Sequence, residues 1–254
     1  MYLQPSFLYA VFLILVLQAC DPIFHKKEDM VVYPEIERTK LYVALQDFRY
    51  AIPPIETKMI KHGLIDIHTL DSSIVVDLKY SSEGNFLGKN VYQGMQRAYL
   101  QPEVGQMLVE SQKYLKSIDP DLSLIVFDAA RPRSIQQKMW DALDLPFNEK
   151  IKFLSNPVNG SIHNFGAAVD VGIIDIQGNL LDMGTDFDHI GEQAYPVKEL
   201  EMLKQGMLTH IHVTNRRLLR SVMRKGGFWG IQTEWWHFNA CTRKEARERY
   251  EIIE

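Results

Sequence analysis

Cysteine is scarce in this 254-residue chain: Cys20 and Cys241 are the only two. Two thiols build neither a disulfide framework nor a four-thiolate metal site, so any metal has to be held by His, Asp or Glu. Long basic runs are missing as well. Lys and Arg total 28 against 32 acids, a net charge of -4, which gives nucleic acid no electrostatic footprint, and no such partner is expected. Internal repeats and low-complexity tracts are absent from the sequence. No apolar run reaches the roughly 20 residues of a comfortable transmembrane helix. What is present is ordinary globular material, 46% hydrophobic and 24% charged, enough for one large domain or two small ones.

The longest apolar run, Phe7 to Ala19, ends just before Cys20 and has the length of a signal-peptide core. Leu17-Gln18-Ala19-Cys20 resembles a bacterial lipobox. That resemblance implies a lipoprotein signal over residues 1–20, export, and a lipid anchor on Cys20 that ties the chain to a membrane of the bacterial cell envelope. No Lys or Arg precedes Lys26, so an uncleaved membrane anchor is the alternative. Either reading puts the domain outside the cytoplasm or at a membrane. Residues 21–65, charged and carrying Pro34, Pro53 and Pro54, read as a tether and arm, with a short helix over Leu41–Phe48. Residues 66–254 are expected to form the functional domain.

Along that domain, Ile74–Tyr80 is β-branched and reads as a strand, and Ser81–Lys89 reads as a loop. Val104, Leu108 and Leu115 recur at helical spacing behind Pro102. Leu122–Phe127 is short, apolar and bounded, as in a buried strand. A helix is expected over Ser134–Leu143, with Ile135 and Met139 inward. Val169–Ile176 reads as a strand, turned back at Gln177-Gly178-Asn179 toward Leu180 and Leu181. Helices are expected over Leu200–Met207 and Thr214–Lys225, the second with Arg216, Arg217, Arg220 and Arg224 as a solvated face and Gly226 as its cap. Aromatic Thr233–Phe238 reads as a central strand. His210 and His212, two apart, read as one strand face, without a carboxylate at useful spacing for a second metal. Cys241 reads as a buried thiol, followed by a charged, helix-prone tail.

The chemistry concentrates in Ser161-Ile162-His163-Asn164-Phe165-Gly166-Ala167-Ala168-Val169-Asp170 and in Glu234-Trp235-Trp236-His237. His163 and Asp170 are seven apart, so a regular strand would put them on opposite faces. They converge only if the chain bends, and Gly166 is where it can. Imidazole and carboxylate are ordinary zinc ligands, and a catalytic site commonly has three of them; His237 is the candidate for the third. Glu234 would then stand beside the metal as a base. Taken alone, each histidine reads more readily as a satisfied core or surface residue than as a ligand, and Glu234 and His237 as decoration of an aromatic core strand. Arg131, after a buried strand and before Pro132, is a candidate anion-binding group or else a surface arginine.

The ordered set Ser161-x-His163-x-x-Gly166-x-Ala168-x-Asp170 and Glu234-Trp235-Trp236-His237 resembles the zinc signature of the VanX-type D-alanyl-D-alanine dipeptidases. Four further stretches agree: Lys79-Tyr80 with Asn85-Phe86-x-Gly88-Lys89, Asp128-x-x-Arg131-Pro132, Met183-Gly184-Thr185-x-Phe187-Asp188, and Asn215-Arg216-Arg217-x-Leu219-Arg220-Ser221. The resemblance spans about Ile67 to Asn239. It implies an α+β, hedgehog-type fold whose central antiparallel sheet carries the metal site, with helices packed on one side. It implies one Zn2+ on His163, Asp170 and His237, and Glu234 as the general base that relays a proton from water to the leaving amine. Arg131 would stabilise charge on the carbonyl oxygen, and Ser161 and Asp188 would hold the ammonium end of a small dipeptide. The implied activity is hydrolysis of D-alanyl-D-alanine in cell-wall metabolism. A related peptidase cutting longer peptidoglycan stems and a non-catalytic binding lipoprotein are the alternatives. Three departures are visible: Ala130 stands before Arg131, where the best-known members carry an aromatic residue; the N-terminal arm of about 65 residues has no recognised counterpart; and the apparent export signal is unlike the cytoplasmic members.

Overall fold

A computed structural model describes residues 52–254. The signal-like run, Cys20 and the helix expected at Leu41–Phe48 lie outside the described residues. Among those described, no helix is long and apolar enough to cross a membrane.

Pro54 opens helix α1 (Pro54–Lys61) from its first turn, where a missing N–H costs nothing. The helix buries Met59 and Glu56. Glu56 accepts from the amides of Gln96 (2.8 Å) and Arg97 (3.2 Å) and from the Tyr99 hydroxyl (3.1 Å), and pairs with the Arg97 guanidinium. Burial opposes its ionisation, but these partners outweigh it and hold the carboxyl below its usual range. Residues 52–65, read above with the arm, therefore belong to the compact unit Ile52–Glu254. The partners that fix them are some forty positions away, beyond the reach of local patterning.

The chain continues through β1 (Ile65–Asp66), β2 (Val75–Val76), β3 (Tyr99–Leu100), α2 (Pro102–Ile118), β4 (Leu122–Asp128), α3 (Arg133–Ala142) and α4 (Phe147–Phe153). It then forms β5 (Ala168–Asp175), α5 (Glu199–Lys204), α6 (His210–Lys225), β6 (Trp229–Gly230), β7 (His237–Asn239) and α7 (Arg243–Arg249). The main sheet has five strands in the order β2-β4-β5-β7-β6. It is antiparallel as expected, except that β2 runs parallel to β4. On β5, Val169, Val171 and Ile173 alternate to one face and are buried. They share a core cluster with Leu108 and Leu115 of α2 and Leu219, Val222 and Met223 of α6. Asp170 points to the other face. Leu143, which caps α3, and Ile151 and Phe153 of α4 border the cavity on that side, so helices are not confined to one side of the sheet.

Several local expectations are corrected. The strand over Ile74–Tyr80 shrinks to β2, because the chain leaves the sheet to bury Tyr80 among the rings of Phe86, Tyr92 and Phe187. The aromatic strand shrinks to His237–Asn239 and is fourth of five rather than central. Trp235 leaves the ladder to donate to Thr185 Oγ1 (2.8 Å) and to meet Trp236 edge to face. His210 and His212 belong to the first turn of α6, not to a strand; Thr209 caps that turn, its Oγ1 accepting from the His212 amide (3.3 Å). Helix α6 ends at Gly226 in a right-handed conformation, and the left-handed position falls on Gly227 (φ +98°). Its arginines are not uniformly solvated. Arg216 is fully buried and donates to the carbonyls of Met183 (2.7 Å) and Gln193 (3.1 Å), while Arg220 forks onto Glu199 at 2.6 and 2.8 Å.

Candidate active site

Three neighbouring strands deliver a row of polar side chains to one face of the sheet. Asp170 on β5 lies in register with His237 on β7 and with Asp128 on β4. The β4–β5 register shifts between Val126 and Asp128, and this bulge turns Asp128 toward Asp170. His163 comes from outside the sheet, on a 3-10 turn over Ile162–Phe165. Ser161 Oγ accepts from the His163 amide (3.4 Å), and Asn164 Oδ1 accepts from the Ser161 amide (2.7 Å), a reciprocal cap that fixes the turn. The turn closes at Gly166 with φ +65°, where a Cβ would lie 2.4 Å from Leu64 Cδ2. This is the bend that brings His163 back over Asp170.

The outer bonds of the two imidazoles decide which nitrogens face inward. His163 Nδ1–H donates to the Ala129 carbonyl at 2.7 Å, leaving the Nε2 lone pair free. His237 Nε2–H donates to Asn239 Oδ1 at 2.9 Å, leaving Nδ1 free. The free nitrogens are 3.1 Å apart, and Asp170 Oδ1 lies 2.9 Å from His237 Nδ1 and 3.3 Å from His163 Nε2. Two lone pairs and an anion so arranged repel one another unless a cation sits between them. The spacing suits one, since ligands at zinc-like distances on a tetrahedron stand roughly 3.3 Å apart. Among the described residues, this is the one trio of His, Cys, Asp or Glu whose ligand atoms all lie within 4.8 Å of one another.

Asn239 fixes a ligand tautomer without touching the metal position. Its replacement by Ala is expected to weaken metal affinity by about 10- to 100-fold with little change in fold stability. Competition with a chelator measures this, and an unchanged affinity would remove Asn239 from the site.

The remaining sequence-derived residues line one cavity of about 270 Å³ with this trio. Glu234 Oε2 stands 3.8 Å from His237 Nδ1, near the ligands but not among them. Burial pushes its carboxyl up to about 7, aided by Asp170 and Asp188 and opposed by His237; a dication on the ligands would draw it back down. Asp188 accepts from the Tyr80 hydroxyl (2.9 Å) and the Phe86 amide (3.4 Å), at a left-handed φ of +63°. Burial also raises its carboxyl to about 7. Arg131 is buried, with Nε on Asp128 Oδ2 (2.8 Å), Nη2 on the same oxygen and Nη1 on Gln136 Oε1 (2.8 Å). Two of the five N–H groups of a guanidinium thus remain for a ligand. Ser161 is a wall residue whose hydroxyl hydrogen is still free to donate.

Sequence reasoning left some partners without a role. Asp128 was visible only as a motif letter, yet it takes Arg131 and the Tyr92 hydroxyl. Tyr80, Gln136 and Asn239 likewise orient the named residues. Spacing alone signals none of these second contacts.

A site that aims two imidazoles and a carboxylate at one point, beside a second carboxylate in the same cavity, defines a metal-dependent hydrolase. The chain belongs to the family described as D-ala-D-ala dipeptidase, which matches residues 60–253. It is 31% identical to the D-alanyl-D-alanine dipeptidase of Escherichia coli (strain K12), over 69% of this chain and 83% of that one. Identity is 28% to the protein of the same name from Synechocystis, over 58% and 71% of the two chains. To that of Enterococcus faecium it is 25%, over 64% and 83%.

Proposed function

We propose that this chain hydrolyses D-alanyl-D-alanine to free D-alanine in cell-wall metabolism, using one zinc ion per chain. The observation that carries this reading is the meeting of His163, Asp170, His237 and Glu234 in a cavity of about 270 Å³. That volume lies just below the roughly 300–1,000 Å³ of sites for drug-sized ligands, which suits a small peptide.

A zinc ion on His163, Asp170 and His237 supplies Lewis-acid polarisation of the scissile carbonyl and acidifies water. Glu234 takes the proton of the attacking water and returns it to the departing amine. The two spare N–H groups of Arg131 meet the charge that grows on the carbonyl oxygen. Asp188, held by Tyr80, receives the substrate's ammonium group, with Ser161 on the neighbouring wall. Trp236 and Phe86 line the same cavity, and the water that they exclude would otherwise weaken each charge interaction. Export and a lipid anchor on Cys20 are part of the proposal, on the strength of Phe7–Ala19 and the lipobox-like ending.

The test is release of D-alanine by the zinc-loaded full chain from D-alanyl-D-alanine, a mixed L,D-dipeptide and a stem pentapeptide. Zinc-dependent cleavage of the D,D-dipeptide alone is expected. Preference for the pentapeptide would place the chain with peptidases of longer stems, and turnover of none would leave a binding protein.

A further inference from the structure

A free dipeptide is a zwitterion. Asp188 offers an anion to its ammonium end, and a cation elsewhere on the cavity wall would complement its carboxylate. Arg131 is neutralised by Asp128 and its two spare N–H groups are assigned to the scissile carbonyl oxygen, while His163 and His237 are turned to the metal position. Of the cavity-lining residues, one permanent cation remains, Arg243.

Its setting differs from that of the other cations in the tail. Arg249 pairs with Glu103 at 2.8 Å, Lys244 with Glu248 at 3.9 Å, and Arg247 donates to the Asn159 carbonyl (2.6 Å). Arg243 has no acidic partner among the described residues. Among the described residues its guanidinium makes one hydrogen bond, from Nη2 to Ser155 Oγ at 3.3 Å, long enough for an anion to displace. The backbone that carries it is well fixed. It follows β7 directly, six residues after His237, and the Thr242–Glu245 cap sets the first turn of α7. Ser155 also connects it to the reaction centre. The Ser155 carbonyl accepts from Gln136 Nε2 (2.9 Å), and Gln136 Oε1 accepts from Arg131 Nη1 (2.8 Å). Arg243 and Arg131 are thus joined through Ser155 and Gln136 along one wall of the cavity.

We propose that Arg243 binds the C-terminal carboxylate of the substrate and makes the enzyme select peptides whose scissile bond lies next to a free carboxyl end. The inference rests on the dipeptidase reading. A guanidinium meets a carboxylate with two parallel hydrogen bonds, an arrangement that an amidated terminus cannot match.

The experiment compares D-alanyl-D-alanine with its C-terminal amide on the zinc-loaded full chain, as wild type, Arg243→Gln and Arg243→Lys. Arg243→Gln is expected to raise KM for the free acid by roughly 10- to 100-fold, the worth of a charge-assisted hydrogen bond. kcat, zinc content and the KM of the amide should stay at wild-type values, and Arg243→Lys should recover part of the loss. Equal effects on acid and amide, or none on either, overturn the assignment while leaving the dipeptidase intact. A wild type that cleaves neither substrate removes the dipeptidase reading, and this inference with it.

Discussion

Replacing Glu234 by Gln is expected to lower kcat for D-alanyl-D-alanine by roughly 10²- to 10⁴-fold while zinc stays bound. The two side chains have nearly the same shape, so the packing of Trp235 and Trp236 beside them is kept. Glutamine has no site of comparable basicity, so the proton of the attacking water has no acceptor. Zinc content should hold because the ligand trio is complete without Glu234, whose nearer oxygen is 3.8 Å from His237 Nδ1. KM should move little, since the carboxylate makes its contribution as the proton moves. Turnover retained in this variant would exclude Glu234 as the base. Zinc lost together with activity would make it a ligand instead.

The site was legible where function demanded an unusual local sequence. His163 and Asp170 have the wrong parity for one strand face, and only the glycine at position 166 resolves it; the structure places the left-handed residue there. Helix α3 and strands β4 and β5 follow the apolar spacing within one residue, and α2 runs three residues past the Leu115 that ends its apolar stripe, because each buries a continuous stripe. What escaped were contacts between distant positions. The burial of Arg216 depends on carbonyls of Met183 and Gln193, which no helical periodicity encodes. Glu56 is likewise set by Arg97 and Tyr99. The aromatic stretch at 233–236 has strand propensity, but Thr185 competes successfully for Trp235. Propensity of this kind measures packing on a pleated surface and yields when the side chain finds another partner. The six-segment resemblance located the acid–imidazole row, and the geometry then identified what orients it.

Asp128 is where that orientation concentrates, and Asp128→Asn is expected to cost about 3–5 kcal/mol of stability and to lower kcat by about 10²- to 10³-fold. The carboxylate is fully buried. One oxygen holds Arg131 through Nε and Nη2, the other takes the Tyr92 hydroxyl, and His163 Nδ1 lies 3.7 Å away. Removing its charge leaves the Arg131 guanidinium buried, with Asp170 at 3.8 Å as its nearest remaining acid. Asp170 then faces competing demands from that cation and from the metal, so zinc affinity should fall as well. Denaturant unfolding of the zinc-free protein measures the stability term, and zinc titration the other. Adding Arg131→Met removes the stranded charge, and the double variant should regain most of the stability, because the penalty comes from an unpaired buried ion rather than from a lost attraction. It should regain no activity, since the group that meets the developing oxyanion is gone. A single variant less than about 1 kcal/mol weaker than wild type, or a double variant as unstable as the single, would show that the buried pair does not hold this wall of the site together.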